Sequence, residues 1–188
     1  GFGRTGKMFG IEHWEGVAPD LMTMAKGITS GYVQLGAVAL SGEIFDTFKK
    51  RERFFHGFTY SGHPLACAVG LKNLEIIENE NLTGNAETMG RFLKKKIQAL
   101  GLDVIGDVRG KGLMVGVELV KNIKTKAKYD PPLAPLVVDA AYKMGLITRP
   151  LIGDILQFSP PMVITEPQID DMVNILGKAI SKALKDRE

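Results

Sequence analysis

Lys26 is the only charged residue between Leu21 and Gly42. It follows Leu21-Met22-Thr23-Met24-Ala25, a short apolar run suited to a buried strand, and precedes Gly27-Ile28-Thr29-Ser30-Gly31. Removing an ammonium group from water at such a strand end disfavours the charge and makes the neutral amine accessible. A neutral lysine attacks carbonyl compounds and forms Schiff bases with them. The same pattern also fits a lysine that snorkels out of a strand end and keeps its charge in water. Spacing by itself leaves both readings open.

Other constellations are weaker. Gly1, Gly3 and Gly6 match a dinucleotide fingerprint, and Gly1, Gly6 and Lys7 match a phosphate loop. The first needs a strand before it and a helix opening after it, and no convincing helix starts in residues 7–14. The second needs Ser or Thr where Met8 stands. Both nucleotide readings therefore fail. His13, His56 and His63 lack metal-ligand spacing, so no metal is expected. The single cysteine, Cys67, rules out an internal disulfide; among Ala66, Ala68 and Val69 it reads as a small buried hydrophobe.

These residues have to be positioned by the elements around them. Residues 1–20 read as loop, 21–25 and 36–40 as strands, and a helix capped by Ser41 should run through Phe48 with Ile44 and Phe45 on the same face. A glycine- and aromatic-rich loop over 54–63 precedes a long helix from Pro64 to about Asn79. The polar stretch Glu78-Asn79-Glu80-Asn81 marks an expected boundary between residues 1–78 and 79–188. Beyond it, a helix is expected over 86–100 and a hairpin over 104–108 and 113–120, turning at Gly110-Lys111-Gly112. A lysine-rich surface loop over 121–132, a helix over 135–144 and strands over 146–148 and 155–158 follow. The last helix opens with a Thr165/Gln168 capping box. This second part reads as α+β, with helices on one side of a sheet.

Composition excludes some classes. The chain has 188 residues, 45% hydrophobic and 24% charged, with a net charge of +3. Nothing in that balance calls for nucleic acid or an anionic membrane as partner. Lys94, Lys95 and Lys96 read as a solvated helix face, and Lys49, Lys50, Lys121 and Lys128 as ordinary surface lysines. No apolar run approaches the ~20 residues of a membrane-spanning helix, and a cytoplasmic protein is expected. The first residue is Gly1 inside a glycine-rich turn, so an upstream portion is expected to be missing.

Several separated motifs then point one way. Residues 19–32, Pro-Asp-Leu-Met-Thr-Met-Ala-Lys-Gly-Ile-Thr-Ser-Gly-Tyr, followed by Leu35-Gly36-Ala37-Val38, closely resemble the cofactor-lysine segment of class III pyridoxal-phosphate-dependent aminotransferases. Gly1-Phe2-Gly3-Arg4-Thr5-Gly6 before them and His56-Gly57-Phe58-Thr59-Tyr60-Ser61-Gly62-His63-Pro64 after them are similar to that family too. Gly110-Lys111-Gly112-Leu113, Arg149-Pro150 and Ser159-Pro160-Pro161 complete the order, with the arginine leaning towards the omega-aminotransferase branch. The resemblance covers essentially the whole chain.

The resemblance implies an α/β, fold-type-I architecture. Residues 1–78 would be the C-terminal part of a large domain with a mostly parallel sheet, and 79–188 a small α+β domain. It implies pyridoxal 5'-phosphate held by Lys26, which would also shuttle the proton at the substrate carbon. Thr59 would bond the cofactor phosphate, usually in the partner subunit's site of a homodimer, although a turn threonine is the plainer reading without Lys26. Arg149 would grip a substrate carboxylate, or else merely pair with Asp154. Phe58 and Tyr32 would help line the pocket, whereas Arg4 and Trp14 read as structural. The reaction implied is amino transfer from an amine or amino acid to a keto acid such as pyruvate. The rivals are an aminomutase, racemase or decarboxylase of the same group, or a non-catalytic interaction domain. The family's aspartate for the pyridine nitrogen lies upstream of Gly1, so these residues alone should be inactive and should expose apolar surface.

Overall fold

The computed structural model describes residues 1–51 and 54–187. Leu21–Met24 (β1) and Ala37–Leu40 (β2) form an antiparallel pair, with Leu21 opposite Leu40 and Met24 opposite Ala37. Both apolar runs are strands, but they are not buried ones: Leu21 is 56% and Val38 60% exposed. A two-stranded ribbon offers each face no second layer, so burial here needs surface from outside these residues.

Gly42–Arg51 (α1) begins beside the predicted cap, where the Ile44 amide donates to Ser41 Oγ at 3.5 Å. Pro64–Asn79 (α2) starts at the predicted proline, which tolerates the first helical position because no N–H is needed there. Asn81, at φ 49°, then turns the chain into Leu82–Gln98 (α3). That helix starts before the expected residue 86, because one left-handed asparagine is enough to reverse the chain.

The remaining elements are Ile105–Lys111 (β3), Met114–Leu119 (β4), Ala134–Lys143 (α4), Arg149–Leu151 (β5), Ile155–Phe158 (β6) and Glu166–Lys185 (α5). They build a sheet of order β3-β4-β6-β5 in which every pair is antiparallel. Two expectations shift. Lys111 pairs with Met114, so the hairpin turns at Gly112-Leu113 rather than at 110–112. The strand expected over 146–148 begins instead at Arg149, opposite Gln157. The short Ile152-Gly153-Asp154 connection sets that register, since Leu151 must face Ile155, and Leu146 packs on the core as a loop residue.

Helices cover one face of this sheet, as expected. Val115, Val117 and Leu119 of β4 and Leu156 and Phe158 of β6 are buried against α3, α4 and α5. Leu93 and Ile97 of α3 and Ile169, Leu176 and Ile180 of α5 lie at helical spacing in the same core. The predicted capping box opens α5, with the Thr165 amide donating to Gln168 Oε1 at 3.0 Å. On the opposite sheet face, Arg109 Nη1 reaches Asp107 at 2.8 Å and Glu118 at 2.6 Å, and Lys128 also pairs with Glu118. Hydrogen bonds from Lys128 and Arg109 hold the Glu118 carboxyl below its usual range.

The sheet edges carry their own devices. Lys126 Nζ donates to Gly106 O at 2.8 Å and Lys94 Nζ to Gly110 O at 2.9 Å, both on edge strand β3. The ladder is also irregular between Ile105 and Asp107. At the other edge, Pro150 sits in the middle of β5.

The opening turn is wedged between these parts. The Leu113 amide donates to Arg4 O at 2.9 Å, and a Cβ on Gly112 would lie 2.6 Å from that oxygen. Gly112 also takes a left-handed φ of 50°. On its far side lies Gly90 of α3, where an added Cβ would run into the Gly112 carbonyl. Backbone cannot yield there as a flexible side chain can, and overpacking of this kind costs about 1–3 kcal/mol or more. Gly90→Ala should therefore lower the stability of a protein carrying this chain by at least that much in denaturant unfolding. Gly42→Ala, which meets open space, should stay within about 0.5 kcal/mol.

Candidate active site

Lys26 opens a short 3-10 turn, Lys26–Thr29, directly beyond β1. Its φ is 55°, a left-handed value that costs a residue with a Cβ about 1–2 kcal/mol. Such strain persists only where the surroundings over-determine the backbone. Here they do so from three sides. Met24, on the strand side, is paired with Ala37. Beneath the turn, Gly27 rests on Phe2, whose Cβ would be 3.1 Å from a Cβ placed at position 27. From α2, Asn73 Nδ2 donates to Gly27 O at 2.9 Å and Ile28 O at 3.1 Å, and its Oδ1 accepts from Ser30 Oγ at 2.6 Å.

Thr29 completes the turn. It is 1% exposed, and its hydroxyl donates to Val33 O at 2.6 Å. Lys26 itself is exposed, so of the two readings left open by the sequence it is the lysine reaching into water that the structure shows. Its amine has no hydrogen bond or ion pair among the described residues. The backbone is held and the amine is left free.

Thr59 lies at the tip of a β-turn in which the Ser61 amide donates to Phe58 O at 2.9 Å and the Phe58 amide donates to Ser61 Oγ at 3.2 Å. Its side chain is exposed. Phe58 is 74% exposed and stacks edge-on against His56, ring centroids 4.8 Å apart. An open cleft of about 750 Å³ runs between this loop and the β1–β2 ribbon, lined by Met24, Gly36, Val38, Phe58, Ser61 and His63. The structure thus brings Phe58 to the strand that leads into Lys26. Lys26, Thr59, Tyr32 and Arg149 do not line that cleft, and Tyr32 is 84% exposed.

Arg149, at the start of β5, donates from Nε to Gln157 Oε1 at 2.6 Å across the ladder. Gln157 Nε2 donates in turn to Ser159 Oγ at 3.2 Å. The alternative partner, Asp154, is occupied elsewhere: it is 4% exposed and its carboxylate accepts from the Ala134 amide at the start of α4. Arg149 is therefore oriented by a neutral amide and forms no ion pair among the described residues.

Arg4 is structural, as expected, donating to Ser159 O at 3.1 Å and to Pro160 O. Burial lowers its pKa from the ordinary value. Trp14, by contrast, is 60% exposed. Cys67 is half-buried rather than buried. The glycines at 1, 3 and 6 form turns and open no helix, and no metal-holding cluster occurs among the described residues. Asn73, Thr29 and Phe2 escaped the sequence reading. Asn73 had a usable signal: it is a polar residue on the stripe Ala66, Gly70, Ile77 that α2 buries.

The aminotransferase class-III family model matches residues 1–180. The chain belongs to that family. It is 41% identical over 186 residues to the putrescine–pyruvate aminotransferase of Pseudomonas aeruginosa, covering 97% of this chain and 40% of that protein. The diaminobutyrate–2-oxoglutarate transaminase of Halomonas elongata is 40% identical, with 97% and 40% covered. A crystal structure of a transaminase from the marine bacterium Virgibacillus superposes with a TM-score of 0.95 at 43% identity, covering 100% of this chain and 44% of the other. An omega-transaminase from Thermomicrobium roseum gives 0.89 at 44% identity, with 98% and 42% covered. The mixed α/β fold is thus the fold-type-I arrangement of these enzymes, and the chain spans about 40% of its curated relatives' length.

Thr29→Val should loosen the lysine turn. It removes the donor from the partly buried Val33 O, a loss of about 0.5–1.5 kcal/mol. Hydrogen exchange at residues 27–33 should quicken accordingly, and an unchanged rate would show that the turn is held without Thr29.

Proposed function

We propose that a protein with this chain as its C-terminal part transfers an amino group from a primary amine or amino acid to a keto acid, using pyridoxal 5'-phosphate. The observation that carries this reading is the uncommitted Lys26 amine on a strained turn whose backbone is held from three sides. The donor set suits the cofactor: a free primary amine for its carbonyl carbon and, in Thr59, an exposed turn hydroxyl for its phosphate. Bound there, pyridoxal phosphate supplies an electron sink for the substrate's α-carbon and a carrier for the amino group.

Lys26 would hold the cofactor through its amine, and the same amine, once free, would take up and return the proton at the substrate carbon. Phe58 and Tyr32 supply apolar surface near the reacting groups. Arg149, aligned by Gln157, receives the carboxylate of the keto acid through paired hydrogen bonds. Relatives named for putrescine and diaminobutyrate support a donor bearing a terminal amine. The proposed division of the chain falls near residue 78, the first part cofactor-binding and the second carrying Arg149. Thr59 would serve the partner's site in a homodimer, and the protein would work in the cytoplasm.

The test loads the complete protein with pyridoxal phosphate, reduces it with borohydride and maps the peptides by mass spectrometry. A pyridoxyl group on Lys26 is the expected result; one on another lysine, or none, overturns the proposal. Lys26→Ala should lower the transfer rate by about 10²–10⁴-fold or more. Alanine formed from pyruvate distinguishes transfer from a mutase, racemase or decarboxylase reaction. Arg149→Leu should raise KM for the keto acid roughly 10- to 100-fold, the worth of a charged hydrogen-bonded pair. KM for a carboxylate-free amine donor should hardly change.

A further inference from the structure

We propose that Asn73 is a positioning residue for Lys26, setting the direction of its side chain through the peptide groups that follow it. The proposal rests on Lys26 as the cofactor lysine. Asn73 uses its whole carboxamide on one short turn. Its amino group donates to two successive carbonyls, Gly27 O at 2.9 Å and Ile28 O at 3.1 Å, and its oxygen accepts from Ser30 Oγ at 2.6 Å. These three partners fall within four residues of Lys26, on its C-terminal side.

A lysine's reach depends on the dihedrals of its own backbone, because Cα–Cβ points where φ and ψ aim it. Lys26 has the unfavourable φ of 55°. Its N-terminal side follows the β1 ladder, so its C-terminal side must be held for that φ to survive. Internal bonds do this weakly: the Ile28 amide reaches Ala25 O only at 3.5 Å and the Ser30 amide reaches Gly27 O at 3.2 Å. Asn73 supplies the stronger bonds from a different element.

The helix is built to come close enough. Gly70, one turn earlier, lies over the turn, where a Cβ would be 3.8 Å from Ile28 O and 3.9 Å from Thr29 Cγ2. That same Cβ would be 2.9 Å from Leu35 Cδ2. The buried residues Ala66, Gly70 and Ile77 put Asn73 on the face that α2 turns inward. A carboxamide there has donors aimed at two carbonyls and an acceptor aimed at the Ser30 hydroxyl, whereas a leucine of similar size would strip Ile28 O and Ser30 Oγ of these bonds and leave Gly27 O with the Ser30 amide alone.

The complete protein is compared with its Asn73→Leu, Ser30→Ala and Lys72→Ala variants. Lys72 lies on the same helix but pairs with Glu75 at the surface, so its variant is the control. Asn73→Leu should speed amide exchange at residues 27–30 and alter the visible circular dichroism of bound pyridoxal phosphate. It should also lower kcat about 10- to 100-fold, the scale of a small misplacement of a reacting group, with KM changed by less than about threefold. Ser30→Ala removes one bond of three and should show the same changes in smaller measure. Borohydride mapping of the unaltered protein comes first, and an adduct away from Lys26 overturns the functional reading itself. With the adduct on Lys26, an Asn73→Leu protein that melts earlier yet keeps its dichroism, and its kcat to within about twofold, overturns the positioning role alone.

Discussion

Gly112 is the place where three stretches of backbone meet without room for a side chain. The tip of the β3–β4 hairpin touches Gly90 of α3 on one side and the Arg4–Gly6 backbone on the other. Close packing of this kind transmits displacement, because main chain cannot swing aside as a rotamer can. The opening turn is thereby tied to the antiparallel sheet. Its next contact, Phe2 beneath Gly27, reaches the lysine turn. Phe2 also packs in a small core with Ile77 and Leu82. One short segment therefore touches both the turn that carries Lys26 and the hairpin tip of the sheet to which Arg149 belongs.

That arrangement gives the site a division of labour. Lys26, Thr59 and Arg149, the residues proposed to touch the reacting groups, are exposed, while Asn73, Thr29 and Phe2, which hold the Lys26 turn, are half-buried or buried. Holding bonds work best where water competes least, and reacting groups must remain open to their ligands. Arg149 follows the same logic at a strand edge, oriented by Gln157 from the neighbouring strand.

Much of the fold could be read from local chemistry. Pro64, the Thr165/Gln168 box and the run at 155–158 each mark an element that the structure places as expected. Errors arose where long-range geometry decides. Arg149–Leu151 is a strand because β6 sets its register, not because its residues favour β structure more than 146–148 do. The hairpin turn moved for a similar reason, fixed by the Lys111–Met114 pair. Lys26 was legible as singular, but its exposure was not, since an apolar strand composition says what a face prefers and not what covers it. Asn73 was missed because one polar residue in an apolar stripe usually passes for tolerance.

The two edges of the four-stranded sheet have a consequence of their own. A free strand edge is a template on which another chain can add, and here both are spoiled: β3 by an irregular ladder and two lysines seated on its carbonyls, β5 by Pro150. Self-association through this sheet by strand addition is therefore blocked. Among the described residues of 1–79, by contrast, Leu40, Phe45, Phe54, Phe58 and Leu71 are all exposed. Stickiness in preparations of this polypeptide should accordingly arise from hydrophobic faces of its first eighty or so residues, and fibril-like stacking of the later sheet should not contribute.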